Sequence, residues 1–357
     1  MLSRTAILLV AASCALLSAE SYKDPKSGLQ VTEIDPPLAT AQNLYFHFSN
    51  FTADNRNIIF ASADGDTSQI YRYDLESGKA TAVTSGPGVA AASACPHPKD
   101  PRILYYPRGR SIEEIDLTSG KVRKVGELPQ PSIGGPGQPT LSHDLKSLAL
   151  VRQRDESNWE VGLMDIATGA WKPVATVGFR VGHVQHHPSE PMIFYVWETG
   201  GYAPQRTWVV NDDGTANRPF YHTADQKQWV TPLKEWVTHE SWVSGTGDMV
   251  LVMDKIGLVI ADKTGKGRIL PGNYWHVAAR TDGRYLVADD FDGNLYLIDP
   301  STDSRRLLAS GLRQTVRPVH AHASFDRTGR YVLFNTGRTR QTIATVDLLQ
   351  IGGYTLP

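Results

Sequence analysis

Four of the 11 histidines in this chain stand at nearly the same distance before an apolar, strand-like segment. The spacing is nine residues in three cases and ten in the fourth: His183 before Met192, His276 before Tyr285, His322 before Tyr331, and His239 before Met249. Neutral imidazoles gathered in one place are good ligands for a borderline divalent metal such as Mn, Fe, Ni or Zn, and imidazole also exchanges protons near neutral pH. The spacing therefore predicts a metal or catalytic site.

A fifth histidine belongs to the same group. In His320-Ala321-His322 the two imidazoles lie on one face of a strand, because side chains alternate with a period of two. We predict that His276, His320 and His322 bind a metal or take part in catalysis, the alternative being an inert polar channel. The remaining candidates are predicted to be hydrogen-bonded turn residues: His47, His97, His143 and His187.

Charged residues flank these histidines. The arginines close to them are Arg180, Arg206, Arg218 and Arg317. The planar guanidinium suits carboxylates, so this set favours an acidic ligand. The carboxylates that could orient the imidazoles are Glu198, Glu240 and the pair Asp289-Asp290.

A repeat of about 45 residues must position these groups. Each unit has an apolar strand, a polar hairpin, a second strand ending in Asp, and a turn rich in Ser, Thr, Gly and Lys. The marker strands begin near Ile58, Ile103, Ser147, Met192, Met249, Tyr285 and Tyr331. Four-stranded units at this spacing are typical of propeller blades, so we predict an all-β, single-domain, seven-bladed β-propeller. The histidines would then lie on the innermost strands, which converge on the axial channel.

Closing the ring requires one further strand. Residues 27–35 read as a strand that could complete the last blade beside the segment Thr342–Leu348. This closure would hide a sheet edge. The longest step, between the fourth and fifth units, allows an inserted loop around Tyr221 to Trp236, either decorative or substrate-contacting.

The N-terminus resembles a secretory signal peptide. Arg4 precedes an apolar run from Ala6 to Leu17, and small residues follow. We predict a signal peptide over residues 1–19, the propeller over 20–357, and an exported protein, periplasmic or secreted. The run is too short for a comfortable membrane span. A lipid anchor at Cys14 is the less favoured alternative.

Composition excludes several classes of partner and chemistry. The net charge is −1, which favours neither nucleic acid nor an anionic membrane surface. Removal of the signal leaves Cys95 as the single cysteine, so stability must come from core burial and sheet hydrogen bonds. The sequence has no nucleophile elbow, no His-Glu-x-x-His motif, no phosphate-binding loop and no dinucleotide fingerprint.

The second half of the chain resembles a known family. The segments "GHVQHHPSEPMIFYVWETG", "QRTWVVNDDGT", "THESW", "YWHVAARTDGRYLVADD" and "HAHASFDRTGRYVLF" are similar to oligogalacturonide lyases, seven-bladed propellers that degrade pectate. The similarity runs from about Gly182 to Phe334, while earlier units match only as propeller repeats.

This resemblance implies a carbon–oxygen lyase with a divalent metal, usually manganese, and an acidic oligosaccharide substrate. By resemblance, His276, His320 and His322 would be metal ligands and His239 the catalytic base. Arg206 would hold a substrate carboxylate, and His183 would contact the substrate. The expected reaction is metal-assisted β-elimination on oligogalacturonides or related uronides, and the alternative is a non-enzymatic periplasmic scaffold or binding protein.

Two positions depart from the family pattern. Arg317 stands where the family has a glutamine ligand, so the site would be a three-histidine site, would recruit Gln314, or would bind no metal. We assign Arg317 to substrate binding. Trp197 stands where a histidine is usual.

Overall fold

Strands account for almost all of the regular structure of this chain. The computed structural model describes residues 15–16, 19–200, 203–221, 236–313 and 319–357. Within these ranges the strands form seven antiparallel sheets, and the helical structure consists of two short 3₁₀ helices, Ala91–Ser93 and Leu348–Gln350. No helix in the described ranges is long and apolar enough to cross a membrane. The seven sheets confirm the predicted seven-bladed β-propeller.

The blades follow one another along the chain, and each runs from an inner to an outer strand. Blade 1 contains β4 (Thr40–Asn43), β5 (Asn57–Asp64), β6 (Thr67–Asp74) and β7 (Lys79–Ala82), with β1 (Ala15–Leu16) paired outside β7. Blade 2 contains β8 (Cys95–Pro96), β9 (Ile103–Arg108), β10 (Ser111–Asp116) and β11 (Val122–Glu127). Blade 3 contains β12 (Thr140–Leu141), β13 (Ser147–Gln153), β14 (Trp159–Asp165) and β15 (Trp171–Val177).

The remaining blades repeat this order. Blade 4 contains β16 (Val181–His186), β17 (Met192–Trp197), β18 (Thr207–Asn211) and β19 (Arg218–Pro219). Blade 5 contains β20 (Val237–Trp242), β21 (Met249–Met253), β22 (Gly257–Ala261) and β23 (Gly267–Pro271). Blade 6 contains β24 (His276–Ala279), β25 (Leu286–Asp289), β26 (Leu295–Asp299) and β27 (Ser304–Ala309). Blade 7 contains β28 (Ser324–Phe325), β29 (Tyr331–Thr336), β30 (Thr342–Asp347), β3 (Gln30–Ile34) and β2 (Ala19–Lys23).

The N-terminal part of the chain closes the ring, as predicted. Strand β3 pairs antiparallel with β30, and Ile34 stands opposite Ile343. Strand β2 then covers the outer edge of β3. Pairing the two ends of the chain in one sheet hides an edge that would otherwise be open to other chains.

The core lies between neighbouring blades. The marker strands are almost wholly apolar, so they are buried on both faces. For example, Phe194 and Val196 of β17 pack with Leu251 and Met253 of β21, and all four side chains are fully buried. Because each blade covers the face of the next, a repeat that is unstable alone becomes stable in the ring.

The histidines lie on the innermost strands or just before them: His183, His239 and His276 are in β16, β20 and β24, whereas His320 and His322 precede β28, so the prediction that these two share one strand face is wrong. Strands β16, β20, β24 and β28 contact one another in sequence around the axis. Their amino-terminal ends surround one cavity and their carboxyl-terminal ends another. The repeat therefore brings residues from four blades to one end of the channel.

Candidate active site

A polar cavity of about 490 Å³ occupies the end of the channel where the inner strands begin. Its lining includes Tyr45, Arg180, His183, Glu198, Arg206, His239, Trp275 and His320. A second cavity, of about 280 Å³, lies at the opposite end. The chain between them crosses the channel: Tyr45 borders the first cavity, while Phe46 and His47 border the second.

Four imidazoles converge beside the first cavity. One ring nitrogen from each of His239, His276, His320 and His322 lies within 4.8 Å of one from each of the others. The shortest described contact joins His276 Nε2 to His320 Nδ1 at 3.1 Å. The three predicted ligands are therefore together, and His239 lies within reach of the same point.

An irregular backbone conformation directs three of the histidine side chains into the channel. His183, His239 and His322 have φ angles of 47°, 52° and 42°, a left-handed conformation that is uncommon for residues other than glycine. The pairing of β16 with β17 and of β20 with β21 shifts at His183 and His239, respectively. Such bulges redirect side chains beside active sites, and their strain is held by the surrounding sheet.

Burial keeps the cluster neutral. It lowers the pKa of His239, His276 and His322 well below the usual value, and neighbouring imidazoles lower it further. Burial also lowers the pKa of His320. At neutral pH each ring therefore has a lone pair for a metal ion or a proton.

Asp289 orients His276. The Nδ1 atom of His276 lies 2.8 Å and 3.0 Å from the two carboxyl oxygens of Asp289. Burial raises the pKa of Asp289 to about 8, so neither member of this buried pair holds its charge easily. When Asp289 is ionised, donation from Nδ1 to its carboxylate fixes the tautomer in which Nε2 is free, which is the usual support of a metal-binding histidine.

A buried ion-pair network forms the adjacent wall. Glu240 accepts from Arg206 Nε at 2.9 Å and contacts His183 Nδ1 at 2.7 Å. Burial would raise the pKa of Glu240, but Arg206 and His183 lower it below its ordinary value. Glu198 lies 3.4 Å from His183 Nε2, and Gly182 gives it room, because a Cβ there would meet its carboxylate at 2.9 Å.

Arg206 is a buried arginine, not an exposed one. Its side chain is fully buried, and its second carboxylate neighbour, Glu198, lies 3.5 Å from Nη2. This Nη2 atom has no hydrogen-bond partner among the described residues. The guanidinium thus joins Glu240 and Glu198 in the wall of the cavity.

Other predicted residues have different positions. Arg180 borders the cavity, whereas Arg218 lies on the outermost strand of blade 4 and donates to the carbonyl of Pro219. Trp197 stacks on Phe179 with 4.8 Å between ring centroids. Arg317 and Gln314, the insertion at 222–235, and Cys14 with most of the signal segment lie outside the described residues.

Of the four predicted turn histidines, His97 and His187 are hydrogen-bonded as expected, His143 lies in a turn, and His47 departs from the prediction. Nδ1 of His97 accepts from the backbone of Asp100, and Nδ1 of His187 accepts from that of Glu190. His47 instead lies in the channel, with both ring nitrogens buried and without hydrogen-bond partners in the described residues. The spacing of His47 could have indicated a position in the channel, because His47 stands eleven residues before Ile58, as His320 does before Tyr331.

Tyr45 and Phe46 are site residues that the histidine spacing did not reveal. Tyr45 Oη lies 3.1 Å from His183 Nε2. The ring of Phe46 lies 5.2 Å and 5.3 Å, centroid to centroid, from the rings of His183 and His239. These rings form an apolar floor beneath the imidazoles, which explains how residues near the channel axis become so deeply buried.

The cavity can therefore bind a divalent cation through imidazoles and accept a proton on a neutral histidine. Its cationic groups and aromatic walls suit an acidic, ring-shaped ligand. This combination allows acid–base chemistry next to a carboxylate.

Comparison with known proteins places this chain in a family. The sequence model of the family described as Oligogalacturonate lyase matches residues 12–258. Relatives include the oligogalacturonide lyase of Pectobacterium atrosepticum, 21% identical, with 90% of this chain and 93% of the relative covered. The oligogalacturonate lyase of Dickeya dadantii is also 21% identical, with 89% and 93% covered.

Solved structures share the fold. An oligogalacturonate lyase in complex with manganese has a TM-score of 0.83 at 23% identity, covering 95% of this chain and 98% of that one. The oligogalacturonate lyase of Vibrio parahaemolyticus has a TM-score of 0.82 at 20% identity, covering 94% and 98%. With a family match over more than half of its length and this fold, the chain belongs to the oligogalacturonate lyase family.

Proposed function

We propose that this chain cleaves oligogalacturonides by β-elimination, with a divalent cation, manganese, at the histidine cluster. The observation that carries the proposal is the convergence of four neutral imidazoles within 4.8 Å beside an open, polar cavity. The family membership gives the substrate class. The matched relatives are named for the same activity.

The residues present fit a metal ion. His276, His320 and His322 would hold it, with Asp289 fixing the ring of His276. Imidazole nitrogen is a suitable ligand for borderline divalent cations. When bound, the cation would supply positive charge next to the uronate carboxylate, which must carry extra negative charge as the neighbouring C–H bond breaks.

His239 is the proposed general base. Its pKa is lowered well below the usual value, mainly by burial, and its Nδ1 atom has no hydrogen-bond partner in the described part of the chain. A neutral ring of this kind would take the proton from C5 of the sugar. The electron pair would form the C4–C5 double bond, the C4–O bond would break, and the departing oxygen would take a proton from water.

Substrate carboxylates would be bound by cationic groups at the wall. Arg206 and His183 both border the cavity. Arg317, which replaces a neutral glutamine of the family pattern, would add a further positive charge. Trp275 borders the cavity and would contact a bound sugar, and the Arg313 guanidinium lies 3.5 Å from its ring centroid.

His239 has a second candidate role, as a fourth metal ligand, because its nitrogen lies within 4.8 Å of those of the other three histidines. Metal content separates the two roles. If His239 is the base, His239→Ala keeps the manganese and loses about 10²–10⁴-fold of the rate. If it is a ligand, His239→Ala loses manganese affinity together with activity, as His276→Ala does.

We further propose that the chain is exported and that residues 1–19 are removed. The basic, apolar and small-residue regions of the N-terminus support export. The substrate would then be an acidic oligosaccharide met outside the cytoplasm. Mass spectrometry of the mature protein tests this, since a chain beginning near Glu20 is expected and a chain retaining Met1 would contradict it. A lipid on Cys14 would instead show as an added acyl mass.

Activity is tested with purified protein, manganese and short oligogalacturonides, by following the absorbance of the unsaturated product. We expect product formation that a chelator abolishes and that added manganese restores. His276→Ala should be inactive and His97→Ala fully active, because His97 lies in a turn away from the cavity. Activity that persists in His276→Ala would overturn the proposed site.

A further inference from the structure

A second group of metal-ligating side chains lies away from the candidate active site. Ring nitrogens of His143 and His186 and a carboxylate oxygen of Asp212 lie within 4.8 Å of one another. His143 is in the turn between β12 and β13, His186 ends β16, and Asp212 begins the turn after β18. The group therefore joins blade 3 to blade 4.

This group belongs to the opposite end of the channel. His186 follows His183 by three residues on β16, roughly 10 Å along the strand. His186 lines the second cavity, whereas His183 lines the first. The two groups share no residue, so they can be studied independently.

The hydrogen bonds of His186 favour a ligand role. Nδ1 lies 2.8 Å from the carbonyl oxygen of His187, to which it can donate. In that tautomer Nε2 has a lone pair, and it faces both oxygens of Asp212 at 3.0 Å. A lone pair facing a carboxylate is repulsive, so this tautomer needs either a second ring proton, which makes an ion pair with Asp212, or a metal ion bound by both groups. Donation of one ring N–H to a backbone carbonyl is the usual support of a metal-binding histidine.

A simpler arrangement competes with this one. The backbone N–H of His143 points at His186 Nδ1 from 3.2 Å, so Nδ1 could accept while Nε2–H donates to Asp212. The contact to the carbonyl of His187 is 2.8 Å long, so Nδ1 has a suitable partner in either tautomer. The simple hydrogen bond between His186 and Asp212 does not involve the His143 side chain, whereas the metal site needs it as a ligand. Removing the His143 side chain therefore distinguishes the two arrangements.

The His143 side chain is placed to complete the site. Its ring stacks on that of His186, with 5.4 Å between centroids and 21° between planes. The residue is exposed, so its side chain is free to turn and bring a nitrogen to about 2.0–2.1 Å from an ion. His186, by contrast, is buried and fixed.

We propose that His143, His186 and Asp212 form a second divalent-cation site that links blades 3 and 4. Two imidazoles and one carboxylate suit a borderline cation such as Zn²⁺, with water completing the coordination. The site has a structural role: a cation that binds the folded chain raises the stability of the ring by mass action.

The experiment is a Zn²⁺ titration of the metal-free full-length protein by calorimetry, together with thermal melting. We expect His143→Ala to bind one Zn²⁺ fewer than the unsubstituted protein and to lose part of the Zn²⁺-induced rise in melting temperature. Asp212→Asn should weaken the same site at least tenfold. Asp213→Asn, which alters the neighbouring carboxylate in the same turn, should keep the full stoichiometry.

The result does not depend on the proposed lyase activity. His143 is exposed, so its substitution should leave the fold and the manganese-dependent activity unchanged. An unchanged Zn²⁺ stoichiometry in His143→Ala would overturn the second site and leave His186–Asp212 as a plain hydrogen bond. A loss of stoichiometry in Asp213→Asn as well would also count against it, because the binding would then follow general acidity of the turn.

Discussion

At the scale of single residues, the site depends on buried ion pairs whose members neutralise each other's charge. Arg206 and Glu240 are both fully buried, and Glu240 also supports His183. Removing one member of such a pair leaves an uncompensated charge, which costs far more than the pair contributes. The site is therefore fixed by its supporting residues as much as by the imidazoles.

Glu240→Gln should lower the free energy of unfolding by about 3–5 kcal/mol, because Arg206 would keep its charge without its closest carboxylate. Urea denaturation measures the change. Glu190→Gln is the matched control, since it removes an exposed carboxylate that contacts Lys263, and it should leave the urea midpoint unchanged. Equal midpoints for Glu240→Gln and Glu190→Gln would show that the buried pair is not what stabilises the wall.

Asp289→Asn should weaken manganese binding about 10–100-fold, because His276 loses the carboxylate that orients its ring. The measurement is a manganese titration of the metal-free protein. Asp290→Asn provides the control, since Asp290 contacts Asn294 and Tyr296 and has no described contact with His276. If both variants bind manganese as tightly as the original chain, Asp289 has no part in the site.

Sequence spacing predicted which residues meet but not how they turn toward the channel. His276, His320 and His322 could be placed because equivalent positions of a propeller converge. The left-handed conformations of His183, His239 and His322 could not, since no glycine or asparagine marks them. His239 approaches the metal-binding group in that conformation. Its spacing had grouped it with the other histidines, and only the family resemblance assigned it the role of base.

At the scale of elements, the bulged inner strands and the closing strand have different structural roles. The bulges in β16 and β20 aim side chains into the channel, while β3 holds the two ends of the chain in one blade. The closing strand could be predicted, because an unpaired sheet edge needs a partner and residues 27–35 alternate. The segment across the channel could not, because Tyr45 and Phe46 lie outside any strand and follow no repeat.

Ile34→Ala should lower the free energy of unfolding by about 2–5 kcal/mol. Ile34 lies in β3 and packs with Phe60 of blade 1 and Leu333 of blade 7, so its loss opens a cavity at the junction of the ring. Chemical denaturation measures the effect. Thr32→Ala, on the same strand but only partly buried, should cost much less. A cost for Ile34→Ala no larger than that for Thr32→Ala would mean that this junction does not hold the ring closed.

At the scale of the whole molecule, the two ends of the propeller channel carry different groups of metal-ligating residues. One end gathers the four imidazoles and the buried Arg206–Glu240 pair, and the other carries the group of His143, His186 and Asp212. Tyr45, Phe46 and His47 divide the channel between them. The proposed catalytic cation and the proposed structural cation are thus kept apart by the chain itself, so each can be removed without the other.

The most direct test of the lyase proposal is a digest of a short oligogalacturonide by the manganese-loaded protein in water enriched in heavy oxygen, followed by mass spectrometry of the products. β-Elimination breaks the C4–O bond without adding water, so we expect two products whose masses sum to that of the substrate. One of them should carry the new double bond, and neither should acquire heavy oxygen in the cleavage step. Products whose masses sum to substrate plus one heavy water would show hydrolysis and contradict the proposed mechanism.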